Sequence, residues 1–343
     1  MRRRNSPIYL SLLVLTFLVA LLCINCTAPE TTGPVTTNPT TTQVTTTITA
    51  TTPPTTTPGT TTVTTTTPVE TGDKEFVWAI TSGSNTVYLM GSIHVADADT
   101  FPLAPVIEDA FASANILVVE VNVNEVDESE SLALILEYGT YPAGETLEDN
   151  VPEELYHRLT DKFAAWGIGI GLLKGYRPWF IENLIEVTSL QELGYTGEYG
   201  IDTHFLESAI ARDMEIVELE TAEFQIQLLA DIPDDIMIKV IEMNLDEPVT
   251  ADYIEEMFAY WEDGDAGAME ALLFEGLDEE PELQPYYQSL FTDRNYGMFD
   301  KIRGFLEDDK TYFVVVGSGH LVGEEGLLNL LEEAGYTVTQ LEG

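Results

Sequence analysis

Thr86-Val-Tyr-Leu-Met-Gly-Ser-Ile-His94 is an apolar run of strand type that stops at a glycine and delivers a histidine three residues later. Near the other end, Thr311-Tyr-Phe-Val-Val-Val-Gly-Ser-Gly-His320 repeats the design. The chain holds four histidines, and two of them stand at equivalent places in two copies of one G-x-x-H pattern. The copies extend past the histidines. After His94 a helical run is expected from Ala104 to Ala114 and a strand from Ile116 to Val123. After His320 a helical run is expected from Gly323 to Ala334 and a strand from Tyr336 to Leu341. The expected fold class is therefore α/β in the broad sense that includes α+β, with duplicated β-GxxH-α-β units forming a central mixed sheet.

If both leading strands lie in one sheet, both histidines emerge at carboxyl ends of strands, the edge of an open α/β sheet where ligands sit. Glycine suits that place because it lets the chain turn off the strand and leaves room above the sheet for a ligand or metal. Glu120 interrupts the otherwise apolar Ile-Leu-Val-Val-Glu-Val and should reach the same edge. A carboxylate there is costly unless it is paired, hydrogen-bonded or bound to a cation.

Outward from this frame, Met1-Arg-Arg-Arg followed by the apolar Ile8 to Ile24 marks residues 1–26 as a signal peptide or signal anchor. Both cysteines, Cys23 and Cys26, lie at its end, where lipidation is an option although the residues before each suit it poorly; the exported part has none, so neither disulfide nor thiolate chemistry is available to it. Residues 27–72 form a Thr/Pro-rich low-complexity stalk that cannot bury enough apolar surface to fold and offers sites for O-glycosylation. Residues 73–343, roughly 270 in number, suffice for one large domain with a mostly helical insertion at about 150–309. The formal charge of −45 makes nucleic acid a poor partner and is met most simply by a solvated acidic surface. No later apolar span follows, so membrane contact is expected through the amino-terminal segment only, with the domain exported to the extracellular face, either anchored or secreted.

Two imidazoles and one carboxylate, His94, His320 and Glu120, make a set that suits a catalytic divalent metal with an open position for water. A metal-free alternative uses one histidine as general base while the other groups orient water and stabilise charge. Among the remaining candidates, Asp202 reads as the N-cap of a helix beginning near Gly200, and Glu220 as a partner of a histidine or of Arg294. His157 and His204 read as surface or half-buried residues, and Trp166, Trp179 and Trp261 as core.

These residues carry a resemblance. Tyr88-Leu-Met-Gly-Ser-Ile-His94, Leu117-Val-Val-Glu120, Gly200-Ile-Asp202, Leu219-Glu220-Thr221 with Gln225 and Gln227, Arg294-Asn295 and Val314-Val-Val-Gly-Ser-Gly-His320 fall in the order found in the TraB/GumN family. From Phe76 to Leu341 the chain resembles that family, which is related to the Tiki proteases. The resemblance implies an α/β core with a helical insertion and a metal-dependent peptidase using His94, Glu120 and His320 around Mn, Co or Zn. It maps the late family arginine onto Arg294, which either pairs with a neighbouring carboxylate or touches a substrate carboxylate or oxyanion. The broader superfamily includes esterase-like hydrolases and haem-binding proteins. The alternatives to a peptidase acting on a peptide or small-molecule substrate are therefore a metal-free esterase-like hydrolase and a non-catalytic peptide- or haem-binding protein.

Overall fold

A computed structural model describes residues 73–83 and 85–343. The signal, anchor, lipidation and stalk expectations fall on residues 1–72, outside the described residues. Among the described residues no helix is long and apolar enough to cross a membrane.

The sheet begins with a hairpin whose first strand lies outside the duplicated units. β1 (Lys74–Ser82) pairs antiparallel with β2 (Asn85–Ser92). Val77-Trp-Ala-Ile80 is strand-type sequence, and Gly83, at φ 62°, turns the chain after β1. β2 then runs parallel to β5 (Tyr312–Gly317), and β5 parallel to β3 (Ile116–Val119), which pairs in turn with β4 (Glu215–Glu218). β6 (Thr337–Glu342) closes the far edge antiparallel to β1. The order β4-β3-β5-β2-β1-β6 makes a mixed six-stranded sheet. β3 and β5 are buried along their whole length, which explains their unbroken apolar sequence.

The two copies interleave rather than sit side by side. α1 (Pro105–Ser113) carries the chain from β2 over β5 to β3, and α13 (Leu327–Glu333) carries it from β5 across to β6. Between the copies lie α2 (Glu128–Tyr138), α3 (Leu147–Asn150), α4 (Glu153–Ala165), α5 (Pro178–Glu192) and α6 (Ile201–Ala211). After β4 come α7 (Ala222–Asp231), α8 (Asp234–Asp246), α9 (Ala251–Glu262), α10 (Ala266–Leu273), α11 (Gln284–Tyr287) and α12 (Asp293–Phe305). Local chemistry starts many of these helices. Thr221, Thr250 and Asp265 accept from the backbone at the starts of α7, α9 and α10, and Pro178 occupies the first turn of α5.

Two adjustments to the expected elements bear on the site. The strand expected from Ile116 to Val123 ends at Val119, so Glu120 sits just past the strand rather than within it. Gly91 does not keep space open for a ligand. A Cβ there would lie 2.6 Å from the Phe76 ring and 3.0 Å from Ser318 Oγ, so the glycine admits the neighbouring strand's aromatic ring. A buried hydrogen bond from Trp261 Nε1 to the Gly91 carbonyl, 2.7 Å long, ties α9 to the same point.

Candidate active site

Register brings the ends of three parallel strands together. Ser92 stands opposite Gly317, and Val119 opposite Val315, so the residues that follow β2, β5 and β3 leave the sheet at one edge. Past β2 the chain turns through Ile93 to His94 and is held by the segment before α6. Ile201 N–H donates to the Ile93 carbonyl at 3.1 Å, and Ala96 and Thr196 exchange backbone hydrogen bonds. Gly200 lies so close that a Cβ on it would stand 2.4 Å from the His94 carbonyl oxygen. A side chain at this position would force the two segments apart. Past β5, a 3₁₀ turn over Ser318–His320 presents the second imidazole, and the Ser318 hydroxyl donates to the Ser92 carbonyl at 2.9 Å.

Each ring has its Nδ1 fixed by an oxygen acceptor. His94 Nδ1 lies 2.8 Å from Asp202 Oδ2, and the carboxylate's other oxygen accepts from Ser92 Oγ at 2.7 Å. Asp202 is in the first turn of α6, whose N-cap is Gly200; the expected capping role gives way to this longer-range pairing. His320 Nδ1 lies 2.6 Å from Asn295 Oδ1, while Asn295 Nδ2 donates to the Glu325 carbonyl at 2.8 Å. That second bond sets the amide's orientation, so its oxygen faces the ring and His320 Nδ1 carries the proton.

Both Nε2 atoms are thereby turned toward Glu120. They stand 4.0 Å (His94) and 3.8 Å (His320) from its Oε1, and both are buried with no hydrogen-bond partner. Glu120 is anchored by groups that leave its orientation little choice. Oε1 accepts from the Gly317 N–H at 2.7 Å, and Oε2 accepts from Arg294 Nη2 at 2.5 Å and from Gln225 Nε2 at 3.3 Å. Arg294 also grips both oxygens of Glu220 through Nε at 3.0 and 3.1 Å, and donates through Nη1 to the Leu290 carbonyl. A π-helical turn over Gln288–Thr292 precedes α12 and turns Arg294 and Asn295 inward; both are buried.

The electrostatics separate the two rings. Burial opposes charge on His94, but the Asp202 carboxylate prevails with help from Glu120, and the imidazole is raised to about 9. Burial likewise opposes the Asp202 carboxylate, and His94 overrides it, so its pKa falls below the ordinary value. On His320, burial together with the positive charges of Arg294 and His94 pushes the pKa well below the ordinary value. Burial also disfavours charge on Arg294, yet Glu220 and then Glu120 hold its pKa above the ordinary value and keep it a cation.

His94, Glu120 and His320 thus converge, as their sequence placement suggests. Arg294 lies behind Glu120 and is 2 % exposed, so its contacts are to Glu120 and Glu220 within the protein. Asp202, Asn295 and Gln225 complete the site; the sequence held the last two only as members of the family pattern. His204 pairs with Glu108 and stacks on Phe101, and His157 is exposed. Trp179 and Trp261 are core, and Trp166 is half-buried. Among the described residues, no three His, Cys, Asp or Glu side chains form a ready metal cage. The Nε2–Oε1 separations exceed the roughly 3.4 Å edge of a tetrahedral site with bonds of about 2.1 Å. The type of donor, two imidazole nitrogens and one carboxylate oxygen, nonetheless fits a divalent ion.

The chain is 28% identical over 249 residues to "Uncharacterized protein YbaP" of Escherichia coli (strain K12), covering 73% of this chain and 89% of that protein; the protein of that name from Shigella flexneri matches to the same extent. It is 21% identical over 311 residues to "Metalloprotease TIKI1" of Danio rerio, covering 77% of this chain and 62% of that protein. No solved structure matches. The profile of one family spans residues 76–340, from the first strand of the hairpin through both histidine motifs to the last strand: the chain belongs to the TraB/PrgY/gumN family.

Proposed function

We propose that this protein is a divalent-metal-dependent peptidase whose metal is held by His94, His320 and Glu120. One observation carries the reading. Two buried imidazole nitrogens without partners face the same carboxylate oxygen, and the opposite nitrogen of each ring is bound to an oxygen acceptor, Asp202 or Asn295. In the metal-free protein a proton on His94 Nε2 relieves the crowding of these groups, and a bound cation would take that proton's place. The similarity to a metalloprotease supports the peptidase class.

Within this reading each residue has a distinct task. Asp202 fixes the His94 tautomer and raises the ring's basicity, and Asn295 does the former for His320 with a neutral group. Arg294, Gln225 and the Gly317 N–H hold Glu120 in one orientation, so that Oε1 faces the histidines. Arg294 is a positioning residue. A bound divalent ion would supply Lewis acidity, lowering the pKa of water and polarising a scissile carbonyl. Glu220 is engaged by Arg294 through both oxygens, so its part is to neutralise and orient that guanidinium. The apolar amino-terminal segment and the Thr/Pro tract extend the proposal to an exported domain tethered at the extracellular face.

A second reading draws on the contrast between the rings. In a metal-free hydrolase, His320, which is neutral, would serve as general base beside a charged His94. The test is hydrolysis of a mixed peptide library, followed by mass spectrometry, with Mn, Co or Zn added and with chelator. Metal-dependent cleavage lost in His94→Ala, His320→Ala and Glu120→Gln supports the first reading. Cleavage that survives chelation overturns it in favour of the second, and no cleavage under any condition overturns both.

A further inference from the structure

α5 is buried without a break from Pro178 to Val187, so every face of this stretch meets protein. A helix in that position calls for apolar side chains all round, and Trp179, Phe180, Ile181, Leu184, Ile185 and Val187 supply them. Glu182, Asn183 and Glu186 break the pattern, at 3%, 3% and 5% exposed. With about 100° of turn per residue, the three fall within one arc of about 100° and share a face. Asn244 of α8 meets that face, its Nδ2 donating to Glu182 Oε1 at 2.9 Å. Asn183 Oδ1 is buried and has no hydrogen-bond partner among the described residues. An unmade buried bond is costly, and this atom is an acceptor beside two carboxylates, so what it lacks is a donor or a cation.

We propose that Glu182, Glu186 and Asn183 Oδ1 bind a calcium ion between α5 and α8. Side chains one turn apart on a helix have Cβ atoms about 5–6 Å from each other, within reach of one ion whose oxygen ligands lie about 2.3–2.6 Å from it. Calcium takes carboxylates, amide oxygens and water together, and water reaches the ion from the side of Asn244, which is half-buried. Two carboxylate charges balance the dication, and the formal charge of −45 on the chain concentrates cations around it. The all-oxygen donor set distinguishes this site from the imidazole centre, with which it shares no residue.

The test is calorimetric titration of the chelator-treated full chain with calcium chloride, at about 0.15 M sodium chloride to screen the acidic surface. One saturable site per chain is expected, with the same affinity in His94→Ala/His320→Ala, which removes the imidazole donors. Glu182→Gln/Glu186→Gln should abolish the site, and Asn183→Leu should weaken it about ten-fold. Asn183→Asp adds a third carboxylate to the face and should tighten binding about ten-fold, a gain that a folding defect does not imitate. Terbium locates the site: excited through Trp179, one turn before Glu182 and Asn183, it should emit in the parent, be displaced by calcium and stay dark in the double glutamine variant. No saturable calcium binding by the parent, a site lost with the two histidines, or an Asn183→Asp protein that binds no more tightly than the parent overturns the proposal. Infrared bands of protonated Glu182 or Glu186 at neutral pH in the calcium-treated protein would also overturn it, because a shared proton would then hold the face together.

Discussion

Replacing Arg294 with methionine tests whether the guanidinium holds the site together. Arg294 is 2 % exposed and donates to Glu120, Glu220 and the Leu290 carbonyl. Without it, Glu120 Oε2 keeps only Gln225 at 3.3 Å and Glu220 keeps the same amide at 2.9 Å. Apart from the Gly317 N–H on Glu120 Oε1, the two carboxylates then share one neutral donor, the Gln225 amide. Removing one partner of a buried ion pair costs about 3–5 kcal/mol, and this removal strands two charges, so the upper part of that range is expected. That is a large share of the roughly 5–15 kcal/mol by which a domain is stable. The assay is urea unfolding followed by tryptophan fluorescence at neutral pH and without metal. The triple variant Glu120→Gln/Glu220→Gln/Arg294→Met, which removes the stranded charges, should recover most of the loss. An Arg294→Met protein within about 1 kcal/mol of the parent would mean that no buried carboxylate depends on the arginine.

In the metal-free protein, NMR should place His94 near pH 9, and a midpoint below about 7.5 would contradict its pairing with Asp202. The rise from 6.5 to about 9 corresponds to about 3 kcal/mol of stabilisation, present in full below pH 6.5 and lost as the pH rises through 9; Asp202→Asn should remove that slope. His320 has the opposite sign: its depressed pKa contributes stability above about pH 6.5 that is lost as the pH falls through its folded value. Gly200→Ala puts a Cβ 2.4 Å from the His94 carbonyl, so thermal unfolding should show a loss of about 1–3 kcal/mol, with peptide cleavage falling further than stability does. Trp261→Phe keeps the packing but leaves the buried Gly91 carbonyl without its donor, and should cost about 1–3 kcal/mol in the same experiment.

The duplicated motif made the centre of the fold legible, because a β-branched run ending in Gly-x-x-His states both a strand and its exit. Glu120 was legible for a related reason: a lone carboxylate at the end of an apolar run needs a partner. The interleaving of the copies was not. That β2 and β3 both pair with β5 depends on contacts across more than 190 residues, which local pattern cannot carry. The β1 hairpin left a local signal only in its strand-type run Val77-Trp-Ala-Ile80 and in Gly83. Asp202 shows a different limit. An acidic residue at a helix start satisfies a local rule, whereas its partners His94 and Ser92 lie 108 and 110 residues away. Gly91 and Gly200 were visible as glycines, but what each admits, a Phe76 ring or the His94 carbonyl, is decided by neighbours distant in sequence.

In the proposed peptidase, His94, His320 and Glu120 hold one metal ion between them. Metal content of purified residues 73–343, measured by mass spectrometry after dialysis against Mn, Co and Zn in turn, tests it most directly beside His94→Ala and His320→Ala. Close to one ion per chain is expected for at least one of these metals, lost in both variants, each of which keeps its circular dichroism. A folded parent that binds no metal, or variants that bind as much as the parent, would contradict it.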